Sequence, residues 1–326
     1  MKRLRGIIPP LVTPLRDSNS LDRAALRRLI DHVLGGGVHG VFVLGTGGEG
    51  PSLGHRVRST VIEQSCQYVN GRVPVVVGVT DTAPIESLRF ARKAARAGAD
   101  AVAIAPPFYF DIGQHELASY YAWLVPQMPL PVLLYNMPGL TGIRFELDTV
   151  SDLSRLSGIC GIKDSSGDLD YFQALLELRD RRRPDWSVLV GNDLLAFEAV
   201  ACGGDGAVAG GANLIPELFV QGVEVVHNGD RLRRHELEKC VATLQGVFRV
   251  SEASPATAVV QGMKSVLCSM GICRDTLARP LQSLTEDEHE QVRHVLRSVD
   301  HRFGAGDWTV KTRSGSGPSG GMMPIG

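Results

Sequence analysis

Two hydrophobic rhythms take turns along this chain. Short apolar runs bounded by glycine or polar residues read as buried strands, at 5–13, 39–44, 73–79, 101–105, 132–135, 159–163, 187–190 and 206–209. Between them, apolar residues recur at the three-to-four spacing of amphipathic helices, at 21–34, 56–69, 84–97, 114–125, 146–156, 169–182, 194–202 and 216–227. In the first of these, Leu26, Leu29, Ile30, Val33 and Leu34 make one stripe. Three joints, GGGVHG at 35, AGADA at 97 and GGDGA at 203, each end a helix on glycine and enter the next strand within a few residues. About eight strand-then-helix units, each of roughly 25 to 30 residues, predict a (β/α)8 TIM barrel. Beyond residue 228 the strand pattern stops, and helices are predicted at about 230–250, 255–270 and 285–300. The expected organisation is a barrel over 1–228 and a C-terminal helical layer over 229–303. The last stretch, 304–326, is rich in glycine, serine and proline and is expected to be disordered.

Composition narrows the function classes. A chain of 326 residues with 44% hydrophobic side chains can bury a large core, and its formal net charge of -1 recruits neither nucleic acid nor an acidic membrane. No apolar run approaches the roughly 18 residues of a membrane span, and the start MKRLRGIIPPLVTP has too short an apolar core for a secretory signal. The expectation is a soluble, cytoplasmic protein. Six cysteines are scattered without a CxxC pair or neighbouring histidines, which predicts reduced thiols and no metal site.

Candidate chemistry centres on GICGIKDSSGD (158–168), where Lys163 ends a strand that is otherwise apolar on both faces. Read as an uninterrupted strand, Ile159, Gly161 and Lys163 share one face, with Cys160 and Ile162 on the other. An ammonium in such a place loses hydration, and desolvation favours the free amine that attacks a carbonyl. The bland alternative is a stem laid on the core with its tip in water. Barrel sites form from the loops after the strands, so the other strand ends are read with it. One carries GTGGEG (45–50), whose glycines suit a backbone nest for a carboxylate or phosphate. That run also fits GxGxxG, but Pro51 interrupts the entry into a helix and no acidic residue closes a next strand at the expected offset, which argues against a dinucleotide. Tyr109 in PPFYF (106–110) and Tyr135 in YNMPGLTG (135–142) are core caps when taken singly; beside a buried lysine, phenols can relay protons.

With GIKDS (161–165), GND (191–193) and GGDGAVAGGAN (203–213), these motifs resemble the dihydrodipicolinate synthase and N-acetylneuraminate lyase family of class I pyruvate-dependent aldolases, over about residues 5 to 300. The resemblance implies a (β/α)8 barrel with a helical layer, a homotetramer, no cofactor, and a small 2-oxo acid and aldehyde as partners. It implies that Lys163 forms the Schiff base, that Tyr135 is the general acid/base, and that Thr46 and Tyr109 complete a relay, the latter lent by a neighbouring subunit in many members. It also places Val208 beside the substrate. Gly47 departs from the threonine of many members, although its backbone N–H remains for the carboxylate.

Leu140 bears on the substrate. Members that condense pyruvate with aspartate semialdehyde carry arginine there, and leucine cannot make that bidentate contact. The lyase branch does carry leucine, but it has serine and threonine in the glycine turn and an acidic residue where this chain has Leu194. GTGGE with YNxPxLTG more closely resembles members that split 2-keto-3-deoxy sugar acids such as 2-dehydro-3-deoxygluconate. Asp164, Ser165, Asn192 and Asp193 could bind the hydroxyls of such a substrate or could cap helices. A 4-hydroxy-tetrahydrodipicolinate synthase, an N-acetylneuraminate lyase, a Schiff-base sugar-acid dehydratase and a non-catalytic 2-oxo-acid binder remain as alternatives.

Overall fold

The computed structural model describes residues 3–303, so the segment at 304–326 lies outside the described residues. The chain opens with β1 (Gly6–Ile7), a small hairpin of β2 (Leu15–Asp17) and β3 (Ser20–Leu21), and α1 (Arg23–Gly35). Strand and helix then alternate: β4 (Val41–Val43), α2 (His55–Val69), β5 (Val75–Gly78), α3 (Pro84–Ala97), β6 (Ala101–Ile104) and α4 (Gln114–Leu124). Next come β7 (Val132–Asn136), the short α5 (Pro138–Thr141), α6 (Leu147–Leu153), β8 (Ile159–Asp164) and α7 (Leu169–Arg182). The last units are β9 (Ser187–Val190), α8 (Ala196–Ala201), β10 (Gly206–Ala207) and α9 (Pro216–His227).

The strands form one eight-stranded parallel sheet in the order β1-β10-β9-β8-β7-β6-β5-β4. Its two edges meet, because Pro10 bridges Phe42 in parallel and the N–H of Phe42 donates to Pro9 O at 3.0 Å. The sheet is therefore a closed (β/α)8 barrel with no free edge. Its first strand is shorter than the expected 5–13 run, since Pro9 and Pro10 have no N–H to extend the ladder. Two apolar layers follow from strand alternation. Ile7, Val41, Val77 and Leu134 face the helices, while Ile8, Phe42, Val76 and Leu133 fill the barrel interior. At the bottom of the barrel Asp205 joins Arg3 and Arg179 and accepts from the N–H of Val188, which ties the chain start to β9 and β10.

One irregularity decides which way the lysine points. Val132 pairs with Ile159 but Leu133 pairs with Gly161, so β8 carries one extra residue, Cys160. That bulge breaks the simple alternation. Ile159 and Ile162 both pack toward the helices and Cys160 turns to the interior, which leaves Ile159 and Lys163 on opposite faces rather than the same one. Lys163 thereby enters the barrel interior beside Tyr135, its register partner on β7.

After α9 come α10 (Arg231–Leu244), a one-turn 3-10 helix (Gln245–Phe248), α11 (Pro255–Ser269) and α12 (Glu286–Phe303). Among the described residues no helix is long and apolar enough to cross a membrane. This layer is joined to the barrel by a buried ion pair. Lys264 Nζ on α11 lies 2.5 Å from Glu49 Oε1, with both side chains fully buried. Glu49 also accepts the N–H of Ala278 at 2.6 Å, and Lys264 donates to Thr276 O at 2.6 Å. Removing one charge strands the other without water, which costs about 3–5 kcal/mol. Lys264→Met should therefore lower the unfolding free energy by about that amount in urea titration. A loss under about 1 kcal/mol would mean that the pair contributes little to holding the layer.

Candidate active site

Lys163 is almost fully buried at the C-terminal end of β8. Its Nζ lies 3.9 Å from the ring centroid of Tyr135 and 5.0 Å from that of Phe42. The two rings meet edge to face, centroids 6.0 Å apart, so the ammonium is held by aromatic faces. Room for the lysine depends on Gly191: a Cβ there would stand 2.8 Å from Lys163 Cε and 1.9 Å from Ser165 Oγ. Tyr135 OH is 3.0 Å from Thr46 Oγ1. Burial alone would push this phenol up, but the Lys163 ammonium, with the hydroxyl of Thr46, outweighs it and holds the pKa below the ordinary tyrosine value.

The loop after β4 turns on itself. The N–H groups of Gly48 and Gly50 donate to Gly45 O, and that of Glu49 to Thr46 O. Those of Thr46 and Gly47 have no such partner among the described residues, and both residues line the same cavity as Lys163. Two N–H groups beside a cation can take a carboxylate. Gly47 is closely covered, since a Cβ there would meet Met263 Cε at 3.0 Å and Pro10 O at 3.2 Å. The methionine of α11 occupies the space a threonine side chain would need.

That cavity encloses about 290 Å³ and gathers Thr46, Gly47, Tyr135, Lys163, Ser165, Asn192, Asp193 and Val208. Ser165 Oγ is buried and unpaired among the described residues. Asn192 does cap: its Oδ1 accepts the N–H of Leu194 at 3.0 Å. Asp193 is held by the N–H groups of Gly210 and Gly211, each at 2.7 Å, and burial raises its carboxyl above the ordinary value. Asp164 does not join the group. With Lys163 inside the barrel, alternation sends Asp164 outward, where it is buried and accepts from Asn136 Nδ2 at 2.7 Å and Ser166 Oγ at 2.9 Å. Its part is to brace the ends of β7 and β8.

A second, apolar cavity of about 260 Å³ shares Thr46, Tyr135 and Met137 with the first. Leu140 lies here, with Phe108 and Thr141, and not on the lysine cavity. Tyr109 lines neither. It is 88% exposed at a positive φ of 94°, and its ring packs edge-on against Phe110. A single chain thus pairs Thr46 with Tyr135 and leaves Tyr109 outside.

Sequence reasoning missed the contribution of the C-terminal layer. Gln245, Phe248, Val259 and Met263 all line the lysine cavity. They lie far along the chain from Lys163, and their pattern reads as an ordinary amphipathic helix, so no local signal marks them. Among the described residues, no three His, Cys, Asp or Glu side chains gather as a metal ion would need.

The family model described as the dihydrodipicolinate synthetase family matches residues 3–299. The probable 2-dehydro-3-deoxy-D-pentonate aldolase YjhH of Escherichia coli K12 is 31% identical over 297 residues, covering 91% of this chain and 97% of that protein. Dihydrodipicolinate synthase from Bacteroides thetaiotaomicron superposes with a TM-score of 0.87 at 40% identity, covering 91% of this chain and 99% of that one. YagE, a prophage protein of Escherichia coli K12 solved in complex with pyruvate, gives 0.85 at 28% identity, covering 91% and 98%. The lysine at the end of β8, the threonine–tyrosine pair and the helical layer over the barrel thus sit in a chain that belongs to the dihydrodipicolinate synthetase family.

Proposed function

We propose that this class I aldolase cleaves a 2-keto-3-deoxy sugar acid to pyruvate and an aldehyde through an imine at Lys163. The observation that carries the reading is the buried amine 3.9 Å from the centre of Tyr135, whose hydroxyl reaches Thr46 at 3.0 Å. The amine of Lys163 adds to the C2 ketone and water leaves, giving an iminium that accepts the electron pair of the C3–C4 bond. Tyr135 takes the proton of the C4 hydroxyl as that bond breaks, and the aldehyde departs. The resulting enamine takes a proton at C3 and water hydrolyses the imine, releasing pyruvate and restoring the amine. The free N–H groups of Thr46 and Gly47 hold the carboxylate. Ser165 and Asn192 contact the hydroxylated tail, and Val208 covers it. Tyr109, exposed on a single chain, completes the relay from a second copy in a cytoplasmic homotetramer.

Substrate choice is supported by Leu140, which brings no charge to the wall shared with Tyr135, and by a relative named as a pentonate aldolase. The competing reading, condensation of pyruvate with aspartate semialdehyde, has its support in solved relatives named as synthases. It lacks a cation for the second carboxylate at position 140. The test is kcat/KM for 2-dehydro-3-deoxygluconate and 2-dehydro-3-deoxypentonate against condensation with aspartate semialdehyde. Sugar-acid cleavage should be the faster, and Leu140→Arg should depress it through bulk and charge beside Tyr135. Condensation at a higher kcat/KM than any sugar acid tested overturns the assignment.

A further inference from the structure

One wall of the lysine cavity comes from outside the barrel. Gln245 begins the one-turn helix that follows α10, and its side chain lines the same cavity as Lys163, Ser165 and Asp193. Its amide nitrogen donates to Asp193 Oδ2 at 3.1 Å. Both Asp193 oxygens act as acceptors toward backbone N–H groups, so the carboxamide presents its nitrogen to them and turns its carbonyl elsewhere. Asp193 is itself fixed, because the N–H groups of Gly210 and Gly211 each hold one of its oxygens at 2.7 Å. A carboxylate offers about four acceptor positions, and three are taken.

The other end of the amide is free. Among the described residues no hydrogen bond engages Gln245 Oε1 or the second N–H. A planar group pinned at one corner, with an acceptor and a donor left over at the wall of a reaction cavity, suits a substrate that offers an O–H both to give and to receive. Pyruvate carries no such group; the tail of a sugar acid does.

We propose that Gln245 is a specificity-determining residue that hydrogen-bonds a hydroxyl of the sugar-acid tail beyond the bond that breaks, a role that rests on the sugar-acid reading above. Asp193 then acts as a positioning residue that aims the carboxamide. The C-terminal layer takes part in choosing the substrate.

The test uses the full chain and Gln245→Met, which keeps length and apolar packing but removes the amide. Two quantities are measured: kcat/KM for 2-dehydro-3-deoxygluconate, and the rate at which borohydride traps pyruvate on Lys163. Loss of a hydrogen bond to a substrate hydroxyl should lower kcat/KM about 10- to 100-fold, chiefly through KM. Trapping of pyruvate should stay within about twofold, since pyruvate has no hydroxyl to read. Unchanged kcat/KM in a variant of an active wild type overturns the proposal alone. A parallel fall in pyruvate trapping also overturns it, because Gln245 would then be supporting the site rather than reading the tail. A wild type that traps pyruvate yet cleaves no sugar acid overturns the sugar-acid reading, and this proposal with it.

Discussion

Lys163→Arg should abolish covalent capture of pyruvate and lower turnover by at least about 10³-fold. In the wild type, pyruvate and borohydride should add the mass of one reduced pyruvate to a single peptide, the one containing Lys163. Selectivity follows from position. Lys264 is the other deeply buried lysine among the described residues, but it is locked between Glu49 and Thr276 O and lines neither cavity beside Tyr135. Lys93 is part-exposed and paired with Glu63, and it lines neither cavity. Arginine keeps the positive charge between Tyr135 and Phe42 but stays protonated and cannot add to a ketone. Fold should survive the exchange better than chemistry, and circular dichroism checks that. An adduct that persists in Lys163→Arg, or one found on another peptide, removes Lys163 from the mechanism.

Much of the barrel was legible because two periods differ. The helices over 84–97, 169–182 and 216–227 and the strand over 187–190 fall where the apolar spacing puts them. Turn chemistry hid the rest. The hairpin at Leu15–Asp17 and Ser20–Leu21 and the short helix Pro138–Thr141 carry too few residues for a period to show. The bulge at Cys160 is the more instructive difference. Alternation counted from Ile159 puts Lys163 on that residue's face, and only the pairing with β7 shows that one residue is extra. The bulge makes Lys163 and Ser165 inward-facing and Asp164 outward, which separates a cavity residue from a brace that sequence alone treats alike.

Long-range partners were illegible for a different reason. Glu49 reads as one more acidic residue after a glycine turn, yet it is buried against Lys264, more than two hundred residues away in the chain. Gln245 reads as one more polar residue of the helix expected at about 230–250, yet it reaches Asp193. Such pairings are set by how the helical layer lies over the strand ends, and no local spacing encodes that. The candidate residues Thr46, Tyr135 and Lys163 were more visible because they lie in or just after strand ends, where the barrel brings successive loops to one face.

Tyr135→Phe should lower turnover by about 10²- to 10⁴-fold while leaving the protein folded. The ring is retained, so its contact with the Lys163 ammonium and its edge-to-face packing on Phe42 persist. The hydrogen bond with Thr46 is lost, at about 1 kcal/mol of stability. The chemistry loses more, because phenylalanine can neither take the proton of the C4 hydroxyl nor return one. The pH profile adds a readout that packing does not move. The Lys163 ammonium holds the Tyr135 phenol below the ordinary tyrosine value, against the effect of burial, so phenolate forms at lower pH than for a free tyrosine. A group acting as base is competent when deprotonated, so wild-type kcat should rise with pH through that lowered pKa and then level off. In Tyr135→Phe this limb should vanish, and the remaining slow rate should be flat across the same range. Steady-state kcat from pH 6 to 10 for both proteins decides the matter on a scale of about four pH units, wide enough to contain a phenol shifted down from its usual value near 10. A variant that keeps near-native kcat, or that loses rate but retains the same limb, shows that another group moves the proton.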